Sequence, residues 1–297
     1  MPDRVLVTGA RGFVGRHLHE RLGETFVPFE GDVLDAAALA AAVKEVQPTG
    51  VVHLAAESSV AGSWDDVSRV WSVNVVGTAN VLEAVLRERP DARVLFPSTG
   101  EVYGRAERVP TPEEEPAAPV SPYAATKAAA EVACAQAARG SGLDVVVARA
   151  FGHEGPGRDE RFAVGSWTRQ IVRLEAQGGG TLLVGDLSAE RDLTDVRDFC
   201  RAYALLLDPS VPAATYNVAS GRAVPMRRVL ELLLEQAEVP IEVEQEEARL
   251  RPADIPRLAG DPTRVRAATG WEPEIPLERT LADALEAARQ GEVAPVA

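Results

Sequence analysis

Tyr123 and Lys127 stand four positions apart, so on a helix they share one face, a single turn from each other. A lysine ammonium beside a phenol favours the phenolate, which would lower the tyrosine pKa and suit proton transfer near neutral pH. Upstream lies Ser98-Thr99-Gly100-Glu101-Val102-Tyr103-Gly104, where Thr99 offers a hydroxyl to the same reaction. Near the N-terminus is Thr8-Gly9-Ala10-Arg11-Gly12-Phe13-Val14-Gly15. A GxxGxxG run between a strand and a helix sets backbone N–H groups and a helix N-terminus against a pyrophosphate. Each motif alone is loose, because glycine turns are common and a Tyr/Lys pair on an Ala-rich helix is usually a surface or interface feature. Together, in this order, they imply a nicotinamide-dependent oxidoreductase.

Other residues carry weaker signals. Glu30 lies 21 residues after Gly9, near where an acidic side chain would hold the adenosine ribose hydroxyls, and it also reads as an exposed loop glutamate. Arg11 pulls the other way, toward a 2′-phosphate, or is simply solvated. The cofactor is therefore NAD(H) or NADP(H), with Glu30 tilting toward NAD(H). His53 follows a buried strand and reads as a hydrogen-bonded structural histidine, and Asn74 as a group that pins backbone near the site. His17 and His19 carry no visible function. No Ser-His-Asp order or GxSxG elbow supports acyl transfer.

These groups need elements to hold them. Val5-Leu6-Val7 reads as a buried strand and Gly12 to Leu22 as the helix after it. Phe26 to Phe29 is a second strand, followed by a helix from Asp35 as N-cap to Val46. Gly50 to Leu54 is a strand, the stretch around Asn74 to Glu88 a helix, and Val94-Leu95-Phe96 a strand. A Pro-rich loop, Pro110 to Pro122, leads into an Ala-rich helix capped by Ser121 and closed by Gly140-Ser141-Gly142. Leu143 to Ala148 is the next strand. The alternation predicts an α/β fold, a Rossmann-like doubly wound parallel sheet, with a smaller C-terminal α/β substrate-binding lobe. Residues 1–150 would form the dinucleotide-binding domain, with a contribution from about 193–219. Residues 151–192 and 220–297 would form the lobe, and Tyr216-Asn217-Val218 would return to the sheet.

Composition narrows the partners. The 297-residue chain is 46% hydrophobic with a net charge of -14, which disfavours nucleic acid and anionic membranes. Cys134 and Cys200 fall in helical patterns with no Cys/His cluster, which fits reduced thiols and argues against a metal. The first strand begins at Arg4, leaving no room for a signal peptide, and no apolar run approaches membrane-spanning length. A cytoplasmic protein without a membrane segment is expected.

With these residues on the page, the chain resembles the extended short-chain dehydrogenase/reductase family, the nucleotide-sugar epimerases, dehydratases and reductases. The likeness runs through Gly31-Asp32, His53-Leu54-Ala55-Ala56, Asn74-Val75-Val76-Gly77-Thr78, the Thr99/Tyr123/Lys127 set and Arg191-Asp192-Leu193-Thr194-Asp195. It implies Thr99, Tyr123, Lys127 and Glu101 as catalytic residues. Cofactor contacts are implied at Gly9, Arg11, Gly12, Phe13, Val14 and Gly15, and at Glu30, Asp32 (adenine), Val33, Leu54, Ala55 and Ala56. Asn74, Ser98, Tyr123 and Lys127 (nicotinamide ribose) complete the cofactor set. Substrate contacts are implied at Ser58, Ser59, Glu101, Gly152, His153 and Asp254, with Arg191 and Arg251 on the diphosphate.

Glu57-Ser58-Ser59-Val60-Ala61-Gly62-Ser63-Trp64, Tyr216 to Gly221, and Leu250-Arg251-Pro252-Ala253-Asp254-Ile255-Pro256 resemble the branch that reduces GDP-linked 4-keto-6-deoxymannose to GDP-D-rhamnose. One departure stands out. The family usually reads Arg-x-Phe-Asn before its Gly-Pro, with the Asn on substrate, whereas this chain has Arg149-Ala150-Phe151-Gly152.

A 4-keto reductase of a GDP-linked sugar is thus the leading expectation. A 4,6-dehydratase, with Glu101 taking the C5 proton, and a 4-epimerase with tightly held NAD are the alternatives within the family. A dinucleotide-sensing regulator without chemistry is the alternative outside it, disfavoured by the intact trio. The Ala-rich helix of Tyr123 and the helix of Asn74 to Glu88 are expected to build a homodimer through a four-helix bundle, as the resemblance implies. Part of that apolar face must instead cover the chain's own sheet.

Overall fold

The computed structural model describes residues 2–250 and 255–291. The first half alternates strand and helix: β1 (Val5–Thr8), α1 (Phe13–Leu22), β2 (Phe26–Pro28), α2 (Ala36–Val46), β3 (Gly50–His53), α3 (Val67–Trp71) and α4 (Gly77–Glu88). Then follow β4 (Arg93–Thr99), α5 (Pro122–Ser141), β5 (Val145–Ala150), β6 (Gly152–Glu154), α6 (Ala163–Gln177), β7 (Gly180–Val184) and β8 (Glu190–Asp195). The last third holds α7 (Val196–Leu206), β9 (Thr215–Val218), β10 (Ala223–Pro225), α8 (Met226–Leu234), β11 (Ile241–Gln245), β12 (Arg257–Leu258), α9 (Thr263–Thr269) and α10 (Leu277–Arg289).

The main sheet has the order β2-β1-β3-β4-β5-β9, all parallel. Alternate residues of β1 enter opposite cores. Val5 and Val7 join Leu18, Phe199, Tyr203 and Trp271 on one face, while Leu6 joins Leu39, Val85 and Cys134 on the other. A strand covered on both faces must be apolar throughout, which is why β1 reads as an unbroken hydrophobic run. The strand order reverses between β1 and β3, and the crevice beyond the strand C-termini at such a point is where open α/β sheets bind ligands. A smaller sheet, β10-β8-β12 with β6 beside β8, packs over a third core of Ile171, Leu182, Val229, Leu233 and Leu285.

The fold is the expected α/β doubly wound parallel sheet with a smaller α/β part, and Tyr216 to Val218 do return to the sheet, beside β5. Some element bounds differ. The helix expected near Asn74 begins at Val67, where the Asp66 carboxylate accepts the Arg69 N–H, and runs through a π turn at Ser72–Val76 before α4. Exposed Val67 and Trp71 blur its amphipathic pattern. The strand expected from Leu143 starts at Val145, because the Leu143 N–H still bonds the Ala137 carbonyl at the end of α5. The Ser121 cap is as expected: its hydroxyl accepts the Ala124 N–H.

Candidate active site

A cavity of about 780 Å³ opens beyond the C-terminal ends of β1, β3, β4 and β5 and is roofed by the smaller part of the chain. One wall is the glycine loop. Gly9 has φ 68°, and a Cβ there would come within 2.6 Å of the Ala55 nitrogen. A Cβ on Gly15 would come within 2.4 Å of the Ala10 carbonyl. Only glycine lets this loop turn so tightly into α1. The N-cap of α1, Gly12, offers no side-chain cap and the first turn has no acidic residue. Uncapped first-turn N–H groups facing a cavity suit a phosphate, so the loop fits a dinucleotide pyrophosphate. Phe13 and Val14, then Leu54, Ala55 and Ala56 from the end of β3, line the same wall.

The catalytic candidates form the floor. Thr99 ends β4, its hydroxyl accepts the Glu101 N–H at 3.2 Å, and it acts on the Tyr123 phenol in favour of the phenolate. Lys127 is buried one turn along α5. Its ammonium donates 2.8 Å to the Pro97 carbonyl and lies 4.8 Å over the Phe96 ring. The expectation that Lys127 lowers the Tyr123 pKa is corrected here. Burial raises the Tyr123 pKa, with the Glu101 charge adding to it, and the opposing influences are the Thr99 hydroxyl and the Arg158 charge. The phenol therefore stays protonated at neutral pH, as a proton donor must. Burial pushes Lys127 down to about 8.

Beneath the floor runs a polar chain that ties the glycine loop to the catalytic helix. The Ala55 N–H donates to Thr8 Oγ1 at 3.2 Å, and the Thr8 hydroxyl meets His53 Nδ1 at 2.7 Å. On the other side of the ring, His53 Nε2 meets Thr78 Oγ1 at 3.1 Å, and that hydroxyl donates to the Asn74 carbonyl at 2.6 Å. Because Thr78 spends its proton on Asn74, the Nε2–H tautomer completes the chain. Burial, then the Lys127 charge, holds His53 down at about 3, so it is a neutral structural histidine. The Asn74 side chain clamps both the N–H and the C=O of Glu57 and donates to Thr126, whose hydroxyl donates to the Tyr123 carbonyl.

Several expected residues stand elsewhere. Asn74 lies under the site as this clamp and does not line the cavity. Ser98 lines the cavity, but its hydroxyl bonds Glu131, which also holds Arg149 at 2.7 Å. Arg11 and Glu30, which favour opposite cofactors, form an ion pair with each other at the surface. Asp32 accepts the Leu34 N–H at 2.9 Å, and Val33 is buried against Gly77, so neither lines the cavity. Ser58, Ser59, Glu101, Gly152, His153 and Arg191 do line it. Arg191 donates to the Glu190 and Ile255 carbonyls at 2.9 and 2.7 Å. Arg251 and Asp254 lie outside the described residues.

The cavity also contains residues that sequence reasoning missed: Glu154 at the end of β6, Arg158, Arg161 and Phe162 from the loop between β6 and α6, and Trp64 and Tyr203. Arginines in a Gly/Pro-rich loop just after the last site strand, in an acidic chain, were the available signal. Among the described residues no group of three or more His, Cys, Asp or Glu is placed to hold a metal, and no helix is long and apolar enough to cross a membrane.

The family model for GDP-mannose 4,6 dehydratase matches residues 23–284. The chain is 38% identical over 292 residues, 95% of each sequence, to GDP-6-deoxy-D-mannose reductase of Pseudomonas aeruginosa. The chain belongs to the GDP-mannose 4,6-dehydratase family of the extended short-chain dehydrogenase/reductases. The structure of RMD from Pseudomonas aeruginosa complexed with NADPH matches with a TM-score of 0.88 and 35% identity, covering 97% of this chain and 99% of that one. UDP-glucose 4-epimerase of Mycolicibacterium smegmatis is 30% identical over 95% of this chain and 97% of its own. Within this dehydrogenase/reductase family, Gly152 is the departure, and it has a steric cause. Gly152 pairs with Leu193, and a Cβ would lie 2.6 Å from the Leu193 Cδ2 and 2.7 Å from the Asp192 carbonyl. No Asn fits while β6 and β8 keep this spacing.

Proposed function

We propose that the protein reduces the C4 ketone of a nucleoside-diphosphate 4-keto-6-deoxyhexose with NADH or NADPH, and that the substrate is GDP-4-keto-6-deoxy-D-mannose, giving GDP-D-rhamnose. The observation that carries this reading is that Thr99 and Tyr123 line one cavity with the uncapped N-terminus of α1. The likeness to GDP-6-deoxy-D-mannose reductase of Pseudomonas aeruginosa supports the choice of substrate.

The reduced nicotinamide supplies the hydride when bound. Tyr123 then gives its proton to the alkoxide oxygen at C4, and Thr99 hydrogen-bonds that oxygen as charge develops. Lys127, charged below about pH 8, holds the nicotinamide ribose. Gly9, Gly12, Phe13, Val14 and Gly15 cradle the pyrophosphate, with Leu54 to Ala56 beside it. Ser58, Ser59, Glu101 and Arg191 face the nucleotide sugar. The main sheet thus serves the dinucleotide and the smaller lobe the substrate.

Incubation with GDP-4-keto-6-deoxy-D-mannose and NAD(P)H should consume nicotinamide absorbance at 340 nm, roughly one reduced cofactor per sugar. A 4-epimerase would turn over without added cofactor, and a 4,6-dehydratase would act on GDP-mannose instead. Either result, with no consumption of NAD(P)H by the ketosugar, would replace this reading.

The reading extends to a cytoplasmic homodimer. Buried free thiols at Cys134 and Cys200 suit a reducing compartment. Support for the dimer comes from apolar side chains left in water on α5 and the helical run beside it: Val132 is 70% exposed, Val76 51%, Trp71 42% and Val67 41%. An exposed apolar face of this kind suits a twofold four-helix bundle. Ala129→Arg on α5 should give a monomer by light scattering, with lowered activity. A parent protein that is monomeric and fully active would sink this part of the reading.

A further inference from the structure

Arg158 is a cation of the cavity to which the proposed reaction gives no role. It lies on the loop between β6 and α6, its side chain is 11% exposed, and it lines the cavity with Glu154. Its guanidinium lies over two rings, with Cζ 3.6 Å from the Phe162 centroid and 4.8 Å from that of Phe13. Phe13 opens α1, the helix whose uncapped N-terminus faces the cavity. Arg158 also acts on Tyr123 across that cavity, favouring the phenolate.

The pair with Glu154 is incomplete. Arg158 Nε and Glu154 Oε2 are 3.4 Å apart, and both are buried atoms without a hydrogen-bond partner. Desolvating a guanidinium and a carboxylate in this way is costly unless the donors and acceptors are satisfied. A planar fork of five donors, buried and held against two rings, is complementary to a group with several anionic oxygens.

We propose that Arg158 binds a diphosphate in this cavity, with Glu154 as a counter-ion that it exchanges for phosphate oxygens. The contact with Phe13 places the guanidinium beside the dinucleotide's pyrophosphate. The same chemistry would serve the diphosphate of the nucleotide sugar, already assigned to Arg191. The inference rests on the reading that the cavity takes both ligands, and it adds a residue to which no role has been given.

The test is calorimetric binding of NADPH and, separately, of GDP-mannose to the parent and to Arg158→Gln, Arg158→Lys and Glu154→Gln. Arg158→Gln should lose at least about ten-fold in affinity for one of the two ligands, which names the diphosphate, with Arg158→Lys between it and the parent. Glu154→Gln frees the guanidinium of its counter-ion and should bind that same ligand several-fold more tightly. If Arg158→Gln does not fold, the Glu154→Gln comparison decides alone. Affinities within about two-fold of the parent for both ligands, in every folded variant, overturn the inference. A parent that binds neither ligand would overturn the functional reading along with it, so the two failures are distinguishable.

Discussion

Lys127, one turn along α5 from Tyr123, donates 2.8 Å to the Pro97 carbonyl of β4. The shared helix face makes the two residues neighbours in sequence pattern, yet burial raises the Tyr123 pKa, with the Glu101 charge adding to it and the Thr99 hydroxyl and the Arg158 charge opposing it. Lys127 therefore ties α5 to β4, the strand that carries Thr99. The same ammonium helps keep His53 neutral below the floor.

Replacing Tyr123 by Phe removes the proton donor while leaving the packing of the ring. Turnover should fall by about two to four orders of magnitude, with NADPH affinity within about two-fold of the parent. Steady-state rates and a binding titration check both halves. Near-normal turnover would end the assignment of Tyr123 as the acid.

Gly152→Asn restores the residue usual in the family but pushes a Cβ into Leu193 and the Asp192 carbonyl. Overpacking of this kind costs about 1–3 kcal/mol, so the variant should melt lower and bind nucleotide sugar less well. Thermal unfolding of Gly152→Ala separates the steric clash from the polarity of Asn. If both variants were as stable as the parent, β6 and β8 would have room that the structure does not give them.

His53 titrates near 3 in the folded protein against an ordinary value of 6.5. Below 6.5 the unfolded chain takes up a proton that the native state refuses until about 3, so this group's contribution is complete above 6.5 and declines through that window. His53→Asn should therefore lose less stability than the parent between about pH 7 and about pH 4, whatever its stability at neutral pH. Urea midpoints at the two pH values measure the difference. Equal losses would mean that the ring is charged within the fold.

Arg11 and Glu30 neutralise each other at the surface. Removing Glu30 leaves Arg11 available for a 2′-phosphate, and removing Arg11 leaves Glu30 to ribose hydroxyls and to repel that phosphate. Glu30→Ala should shift the ratio of kcat/KM for NADPH over NADH upward, and Arg11→Ala downward, each by roughly ten-fold. A ratio unmoved in both variants would place the choice of cofactor elsewhere.

The order of chemistry along the chain was legible because each signal is local. A glycine loop after a buried strand, a hydroxyl at a strand end and a Tyr/Lys pair behind a Ser-Pro cap depend on neighbours a few residues away, and the alternation of strand and helix set the parallel sheet. Residues 67–73 were missed as helix because Val67 and Trp71 face water, and strand bounds moved by up to three residues, the start of β5 because a helix cap extended into the following chain.

The sequence by itself determined which side chains form the floor of the site, since β4 and α5 carry them on adjacent elements. Only the tertiary structure decided what each of them touches. Lys127 turns to Pro97, Asn74 clamps Glu57, and Arg158 crosses from the smaller lobe to Phe13 through contacts between residues far apart in the chain. A pKa depends on burial and on every charge nearby, so spacing could propose the Tyr123–Lys127 pair but could not settle its electrostatics. The same holds for Gly152: its identity is written in the chain, but the reason for it is that a Cβ there would come within 2.7 Å of a carbonyl forty residues away, which only the packed sheet brings about.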